Sequence, residues 1–258
     1  YNGNQPERDG YDLIDCLLSQ TQTSEYLVSK IWSYFVAERP PASDATERQL
    51  WDDIVVELAA RWKAMDYDLR GLMSVILRSN YFFSKRSVRQ LIKNPMEYMV
   101  GVLRNMGTPF VGRYSVLGSR LEQMGLPLFR YTNPSGLADG VAWVDSQSYI
   151  NRAAYADEFT QVSTTAGIRI NWNPWRAMQQ YNLNTKAEII DYYLDILVQG
   201  TVPAQVRSNL SEYMDYYDGT PNRRYRAYDS LPSSSRHRLV KVRGLVYLIL
   251  TLPEYHAN

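Results

Sequence analysis

The sequence predicts an all-α protein, a multi-helix bundle with long irregular loops. Apolar residues recur at spacings of three and four along most of the chain, the period of an α-helix. Many of these stretches open with capping residues, such as Asn94-Pro95 and Thr185 with Glu188 three positions on. Alternating strand patterns are nearly absent, and 168–172 is the one short candidate. We therefore predict a single helical domain over 1–258.

The first predicted helices carry much of the apolar surface. Leu27, Ile31 and Tyr34 lie on one helical face, and further apolar neighbours leave little of that helix polar, so we expect it to be central. The next helix begins at Asp44, with Glu47 three residues later as in a capping box. These two segments predict a core near the start of the chain.

Start and stop signals delimit the helices that follow. Asp68 opens one helix, and Asn94-Pro95 opens another that stops at Gly107. A further helix ends at Gly125, and a new one is expected to begin near Ser146. The intervening segment is long for a compact helical domain, and such loops are usually functional or held by their own packing.

The last third of the chain repeats these signals. Asn173-Pro174 starts one helix, and the Thr185 helix is stopped by Gly200. A short turn at Pro203 then predicts a helical hairpin. Residues 218–235 are polar and predict an exposed loop before the final helix.

Charge and rare residues exclude several function classes. The net charge of +1 provides no global field for nucleic acid, and no apolar run reaches the length of a membrane span. Cys16 is the single cysteine, so no internal disulfide forms, and its apolar neighbours predict a small core residue. His237 and His256 cannot form a Cys/His zinc cluster. We predict no metal and no cofactor.

The segment 126–145 admits two interpretations. As a binding loop it presents Arg130, Tyr131, Asn133 and Trp143, and aromatic faces with a few polar groups suit sugar rings or an extended peptide. As a packing element, its rings at positions 129 and 143 fill the helical core and Gly136 supplies a left-handed turn. The packing interpretation is favoured, and it requires Trp143 to be buried.

Two basic stretches offer a second binding hypothesis. Six lysines and arginines with no acid lie between Leu69 and Met96, and seven more, with Asp229 as the one acid, lie between Arg223 and Arg243. Either stretch could hold a sulfated or carboxylated polymer. The favoured alternative is a solvated face neutralised by acidic helices elsewhere.

Six short segments occur in an order that is more specific than any one of them. They are Lys30–Val36, Leu77–Phe82, Lys93–Glu97, Met124–Phe129 with the following Asn133, Gly136 and Trp143, Arg152–Ala156, and Leu252–Tyr255. In this order they resemble the C-terminal half of a bacterial family catalogued as domain of unknown function 1800. Leu137 stands where that family usually has tryptophan, and Ala154 stands where it usually has asparagine. If the family's tryptophan or asparagine contacts a ligand, that contact is altered in this chain.

The resemblance carries functional expectations but no established activity. Family members are commonly exported and often encoded beside a sulfatase-like exported protein. This implies a protein of the periplasm, cell envelope or extracellular space that forms part of a longer chain. We predict a non-catalytic module that binds a glycan or a partner protein, with Arg130, Tyr131, Asn133, Trp143 and Arg152 as binding candidates. The alternative is part of a polysaccharide hydrolase whose catalytic residues lie mostly outside this segment, since no carboxylate pair can be assigned.

Overall fold

A computed structural model describes residues 6–108, 114–130, 136–137, 140–161, 172–199, 202–216 and 226–257. Throughout these ranges the regular structure is helical and no strand is present, which confirms the all-α prediction. The α-helices are α1 (Pro6–Ser19), α2 (Thr21–Phe35), α3 (Ala45–Ala64), α4 (Leu69–Leu77), α5 (Pro95–Asn105), α6 (Tyr114–Gln123), α7 (Ser146–Thr160), α8 (Pro174–Gln180), α9 (Lys186–Val198), α10 (Ala204–Asp215) and α11 (Arg236–Leu250).

Three short 3-10 helices complete the regular structure of the described chain. They span Gly140–Trp143, Tyr228–Ser230 and Pro253–Tyr255. Ile92 and Ala257 form an isolated antiparallel bridge, which brings the segment before α5 next to the C-terminal residues. Of the strand candidate at 168–172, residues 168–171 lie outside the described residues, and Trp172 is not in a strand.

The predicted caps form hydrogen bonds at the helix starts. The side chain of Asn94 accepts hydrogen bonds from the backbone N–H groups of Met96 and Glu97, and the Glu97 carboxylate accepts one in return from the Asn94 N–H. Thr185 and Glu188 form the same reciprocal pair at the start of α9. These polar side chains satisfy amides that have no partner inside the helix, which is why sequence alone located both starts.

The chain divides into two compact units, 1–91 and 92–258. The first holds α1 to α4 around Trp32, Trp51 and Trp62. The indole N–H of Trp51 donates to the carbonyl of Ala37 at 3.1 Å. Whether the two units together form the single domain predicted over 1–258 is not tested by this division, so that statement stays a prediction.

One prediction for the first unit is wrong. Cys16 is exposed, together with its apolar neighbours in α1. Helix α2 does pack against both α1 and α3, but only one of its apolar faces is covered: Val28 and Trp32 are buried, whereas Tyr34 is exposed. Helical periodicity identified the apolar side chains, but only the packing decides which of two apolar faces is covered.

The second unit is built around α11, which packs against α7, α8, α9 and α10. Its core includes the buried rings of Tyr98, Phe159 and Tyr193 and the aliphatic side chain of Val246. The predicted exposed loop at 218–235 is only partly described, and the described part differs from expectation. Tyr228 and Leu231 are buried there, so this end of the loop belongs to the core.

Helices α10 and α11 approach closely at Gly244. A Cβ atom on this glycine would lie 1.8 Å from the hydroxyl oxygen of Tyr213 and 2.7 Å from its ring carbon Cζ. The partly buried Tyr213 ring cannot move far enough to make room for a Cβ atom unless its neighbours repack. Glycine at position 244 therefore allows α10 and α11 to pack this closely.

We expect Gly244→Ala to destabilise the protein by about 1 to 3 kcal/mol, since the methyl group forces the Tyr213 ring or the helix to move. The measurement is urea unfolding followed by circular dichroism. Gly118→Ala in α6 is the matched control: no heavy atom lies within 4 Å of its Cβ. There alanine should be neutral or stabilising by up to about 1 kcal/mol. Equal effects at both sites would contradict the packing described here.

Candidate functional site

The segment after α6 turns sharply and directs Phe129 into solvent. Leu126 is buried and Leu128 packs on the core, and the Arg130 N–H donates to the Pro127 carbonyl at 3.2 Å to close the turn. Phe129 has φ of 59° and its side chain is 96% exposed. Positive φ at the third position of a turn usually belongs to glycine or asparagine. An aromatic residue is thus held in a strained backbone conformation and exposed.

This corrects the expectation that Phe129 fills the core. The inward position next to it is taken by Leu128, and the left-handed conformation turns the following side chain away. Arg130 is also exposed, and its guanidinium donates to the carboxylate of Glu122 at 2.7 Å. Tyr131 and Asn133, the other candidates from this turn, lie outside the described residues.

Trp143 is buried, as the packing interpretation requires. Its side chain is 6% exposed and belongs to the core of the second unit. Its carbonyl accepts hydrogen bonds from the Ser148 hydroxyl at 2.8 Å and from Arg152 Nη2 at 3.2 Å. Asp145 caps α7 by accepting from the Ser148 N–H at 2.6 Å. Gly136 has φ of 88°, the left-handed turn expected from the sequence.

Arg152, the last binding candidate, is fully buried in α7. Besides Trp143, its guanidinium donates to the carbonyl of Lys93 at 2.8 Å and to His256 Nδ1 at 3.3 Å, and it lies over the Tyr98 ring. Burial lowers the pKa of Arg152 from its ordinary value, and the neighbouring tyrosines oppose this shift. Among the described residues no carboxylate forms an ion pair with it at contact distance. Backbone carbonyls and a ring face stabilise the cation, and the charge of Glu97 contributes from farther away.

Lys93 and His256 complete the cluster. The Lys93 ammonium donates to the Tyr255 carbonyl at 2.8 Å and lies 4.1 Å from the centre of the Tyr255 ring. The Lys93 N–H donates to the His256 carbonyl at 2.8 Å. We call the buried Arg152, the half-buried Lys93 and the neutral imidazole of His256 the buried cationic cluster, because its two charged members are cations. It binds the start of α5, the end of the 126–145 segment and the C-terminal residues to one another.

The buried cationic cluster was not found from the sequence, although its parts were. Three of the six segments that carry the family resemblance, 93–97, 152–156 and 252–255, meet here. A lysine, an arginine and a histidine up to 163 positions apart give no pattern that periodicity can detect. Arg152 and Trp143 were proposed as ligand contacts, and their burial instead favours a structural role in the core.

Three cations of the second basic stretch are likewise directed inward. Arg238 donates to the carbonyls of Leu231 and Asn184, and Arg243 donates to those of Thr160 and Trp172 at 2.6 and 3.0 Å. Lys241 is buried beside the Tyr216 carbonyl. These three side chains join helices and loop ends and do not form part of a binding strip or of a solvated face. Two other cations of the stretch, Arg226 and Arg236, are exposed, and Arg223 and Arg224 lie outside the described residues.

A shallow hollow of about 260 Å³ lies along α6, and sequence reasoning missed the acid beside it. Ser115, Ser119, Arg120 and Gln123 line it. Arg120 is ion-paired with Glu158 of α7, and burial raises the pKa of Glu158 while Arg120 opposes the shift. A carboxylate that is ion-paired with an arginine is a poor proton donor. The main effect of this pair is to join α6 to α7.

Metal-binding groups and membrane-spanning helices are both absent from the described ranges. No group of three histidine, cysteine, aspartate or glutamate side chains there could hold a metal ion. No helix there combines the length and the apolar character required to cross a membrane.

These features define a class: an all-α protein with buried arginines that bind backbone carbonyls and with a surface turn that exposes an aromatic residue. The chain belongs to the family described as Protein of unknown function (DUF1800), whose family model matches residues 2–257. The match confirms the resemblance drawn from the six segments, while its restriction to the C-terminal half of the family stays a prediction. No curated protein and no solved structure matches the chain.

The position of His256 predicts a loss of stability in acid. Burial and the charges of Arg152 and Lys93 lower its pKa to about 4, whereas the exposed imidazole of an unfolded chain titrates near pH 6.5. Between these values the unfolded state binds the proton and the folded state does not. Unfolding free energy should therefore fall as pH drops from about 6.5 to about 4, by up to about 3 kcal/mol from this group.

His256→Gln should remove that component, since glutamine does not titrate. The measurement is urea unfolding of both proteins at half-unit pH steps from 7.5 to 4.5. The stability difference between them should shrink as the pH falls, because carboxylates that titrate in the same range contribute equally to both. Parallel curves for the two proteins would contradict a buried neutral His256.

We expect Trp143→Ala to cost about 3 to 5 kcal/mol as a core truncation. Val141→Ala is the matched control, since Val141 lies in the same 3-10 helix but is exposed, and a change there should stay within about 0.5 kcal/mol. Thermal unfolding of both variants checks the difference. An unchanged melting temperature for Trp143→Ala would show that the ring does not contribute to the core.

Proposed function

We propose that this protein is a non-catalytic interaction module of the bacterial envelope or extracellular space, and that the turn at Phe129 is its contact point with a partner protein. The single observation that carries the proposal is the conformation of Phe129. Its ring is almost fully exposed, and its backbone adopts the left-handed region that non-glycine residues rarely occupy. Strain of this kind costs stability and is concentrated at functional sites.

The surroundings of Phe129 support a preorganised contact. Leu126 and Leu128 fix the turn on the core, and Arg152 holds the Trp143 carbonyl at the far end of the same segment. A side chain presented by a fixed backbone loses less conformational entropy on binding than one in a free loop. The buried cationic cluster therefore serves the contact indirectly, by holding the segment in place.

The chemistry of the ring favours a protein over a glycan at this point. A phenyl ring has no polar atom, and protein interfaces gain much of their affinity from aromatic anchors that enter apolar pockets. Arg130 follows directly and can add a polar contact at the rim, since its pairing with Glu122 is exposed and contributes little. The exported sulfatase-like protein expected beside the gene is the first partner to test.

The alternative function, a part of a polysaccharide hydrolase, has one supporting observation. Glu158 has a raised pKa next to the α6 hollow, and general acids of hydrolases have raised pKa values. An activity screen with neutral and sulfated polysaccharides, using wild type and Glu158→Gln, tests this alternative. Turnover by the wild type that Glu158→Gln abolishes would reject the non-catalytic proposal.

Phe129→Ala tests the contact point. We expect it to weaken binding of the purified neighbouring sulfatase-like protein at least about tenfold, the range of an aromatic anchor, with no loss of melting temperature. Surface plasmon resonance gives the affinity. Phe83→Ala is the matched control, since Phe83 is a 77% exposed phenylalanine in the other unit, and it should leave both quantities unchanged.

Phe129→Gly separates strain from contact. Glycine adopts positive φ without steric cost, so this variant should be more stable than wild type by about 1 kcal/mol and yet bind weakly. Binding by Phe129→Ala and Phe129→Gly at wild-type affinity would refute the proposed contact, and so would a wild-type protein that does not bind the sulfatase-like protein.

A further inference from the structure

The corner between α8 and α9 presents two tyrosines that the core does not require. Tyr181 follows the last residue of α8, and its side chain is 53% exposed. Tyr192 lies on α9 and is half-buried. Their ring centres are 5.0 Å apart and the planes are inclined by 36°, so the two rings form one aromatic surface at the edge of the second unit.

Core aromatics fix this surface from behind. Tyr192 contacts Tyr193 edge-to-face at 5.0 Å, and Tyr193, which is buried, contacts Trp172 in the same way at 6.1 Å. Arg243 lies over the Trp172 ring and holds its carbonyl. The exposed pair is therefore the outer end of an aromatic row anchored in the core, and a ligand that stacks on it need not first order a mobile side chain.

The polar groups beside Tyr181 are uncharged amides. Gln179, Gln180, Asn182 and Asn184 are exposed, and residues 177–185 contain no acidic or basic side chain. The Asn184 side-chain N–H groups donate to the carbonyl and the side-chain oxygen of Asn182, both at 3.0 Å. This pairing holds the two amides in one arrangement. Among the described residues it leaves the Asn184 side-chain oxygen and the Asn182 side-chain nitrogen for other partners.

We infer that the Tyr181–Tyr192 corner is a binding site for a neutral glycan. The face of a sugar ring carries C–H groups that pack on aromatic rings, and its hydroxyl groups both donate and accept hydrogen bonds, as amide side chains do. The amides next to Tyr181 provide no cation for bidentate contacts with sulfated or carboxylated sugars. The charged groups that bond to Asn184 are the buried Arg238 and the exposed Glu188, and the Glu188 carboxylate disfavours an anionic ligand. The site is separate from the Phe129 turn, and the inference stands or falls independently of the partner protein.

Affinity electrophoresis of the whole chain tests the inference. Native gels would contain a soluble neutral polysaccharide, with xylan, mixed-linkage β-glucan, glucomannan, amylose and dextran as the panel. We expect at least one to retard the wild-type protein and Tyr181→Ala to weaken that binding about tenfold, the loss of roughly one stacked ring. Tyr181→Phe and Tyr181→Trp should retain binding, because they keep the ring face.

Controls distinguish this site from the one at Phe129. Tyr11→Ala removes a tyrosine of α1 that is even more exposed than Tyr181, and this variant should bind glycan as wild type does. Phe129→Ala should lose the partner protein but keep the glycan, and Tyr181→Ala should do the reverse. The inference is overturned if no neutral polysaccharide retards the wild type, if Tyr181→Ala binds as well as wild type, or if dextran sulfate alone is bound.

Discussion

The second unit depends on a buried cation that is held by backbone carbonyls. Arg152 is fully buried and donates to the carbonyls of Lys93 and Trp143. An unpaired charge in the interior is normally very unfavourable, and hydrogen bonds to oriented carbonyls together with the Tyr98 ring face are what permit it here. Arg152 bonds to Lys93, Trp143 and His256, which are distant from one another in the sequence. This one side chain therefore holds the first and the last residues of the second unit together.

The same use of cations recurs along α11. Arg238 and Arg243 bind carbonyls at the ends of loops and lie over the rings of Tyr228 and Trp172. Arginine suits this task because its planar group offers several N–H donors and stacks on aromatic faces. These arginines and the rings beneath them therefore serve as joints inside the protein and not as a binding surface. Among the exposed aromatic residues, Phe129 has the strained backbone and Tyr181 has the paired ring, and these features distinguish the two positions.

The two proposed contacts differ in the chemistry of their surroundings. Phe129 is an apolar side chain held out by a strained turn, which suits an apolar pocket on a protein. Tyr181 lies among amide side chains, which suit a hydroxyl-rich ligand. A module that joins a glycan to a partner protein would need both kinds of surface.

The sequence by itself determined the helices, because caps and helical periodicity are local. Asn94 and Thr185 bond to amides within three residues of themselves, so their helix starts are encoded where they stand. Only the tertiary structure decided which apolar faces are covered, which exposed Cys16 and Tyr34 and turned Phe129 outward. It also decided that Lys93, Arg152 and His256 meet, since contacts between residues far apart in the chain depend on how whole helices pack.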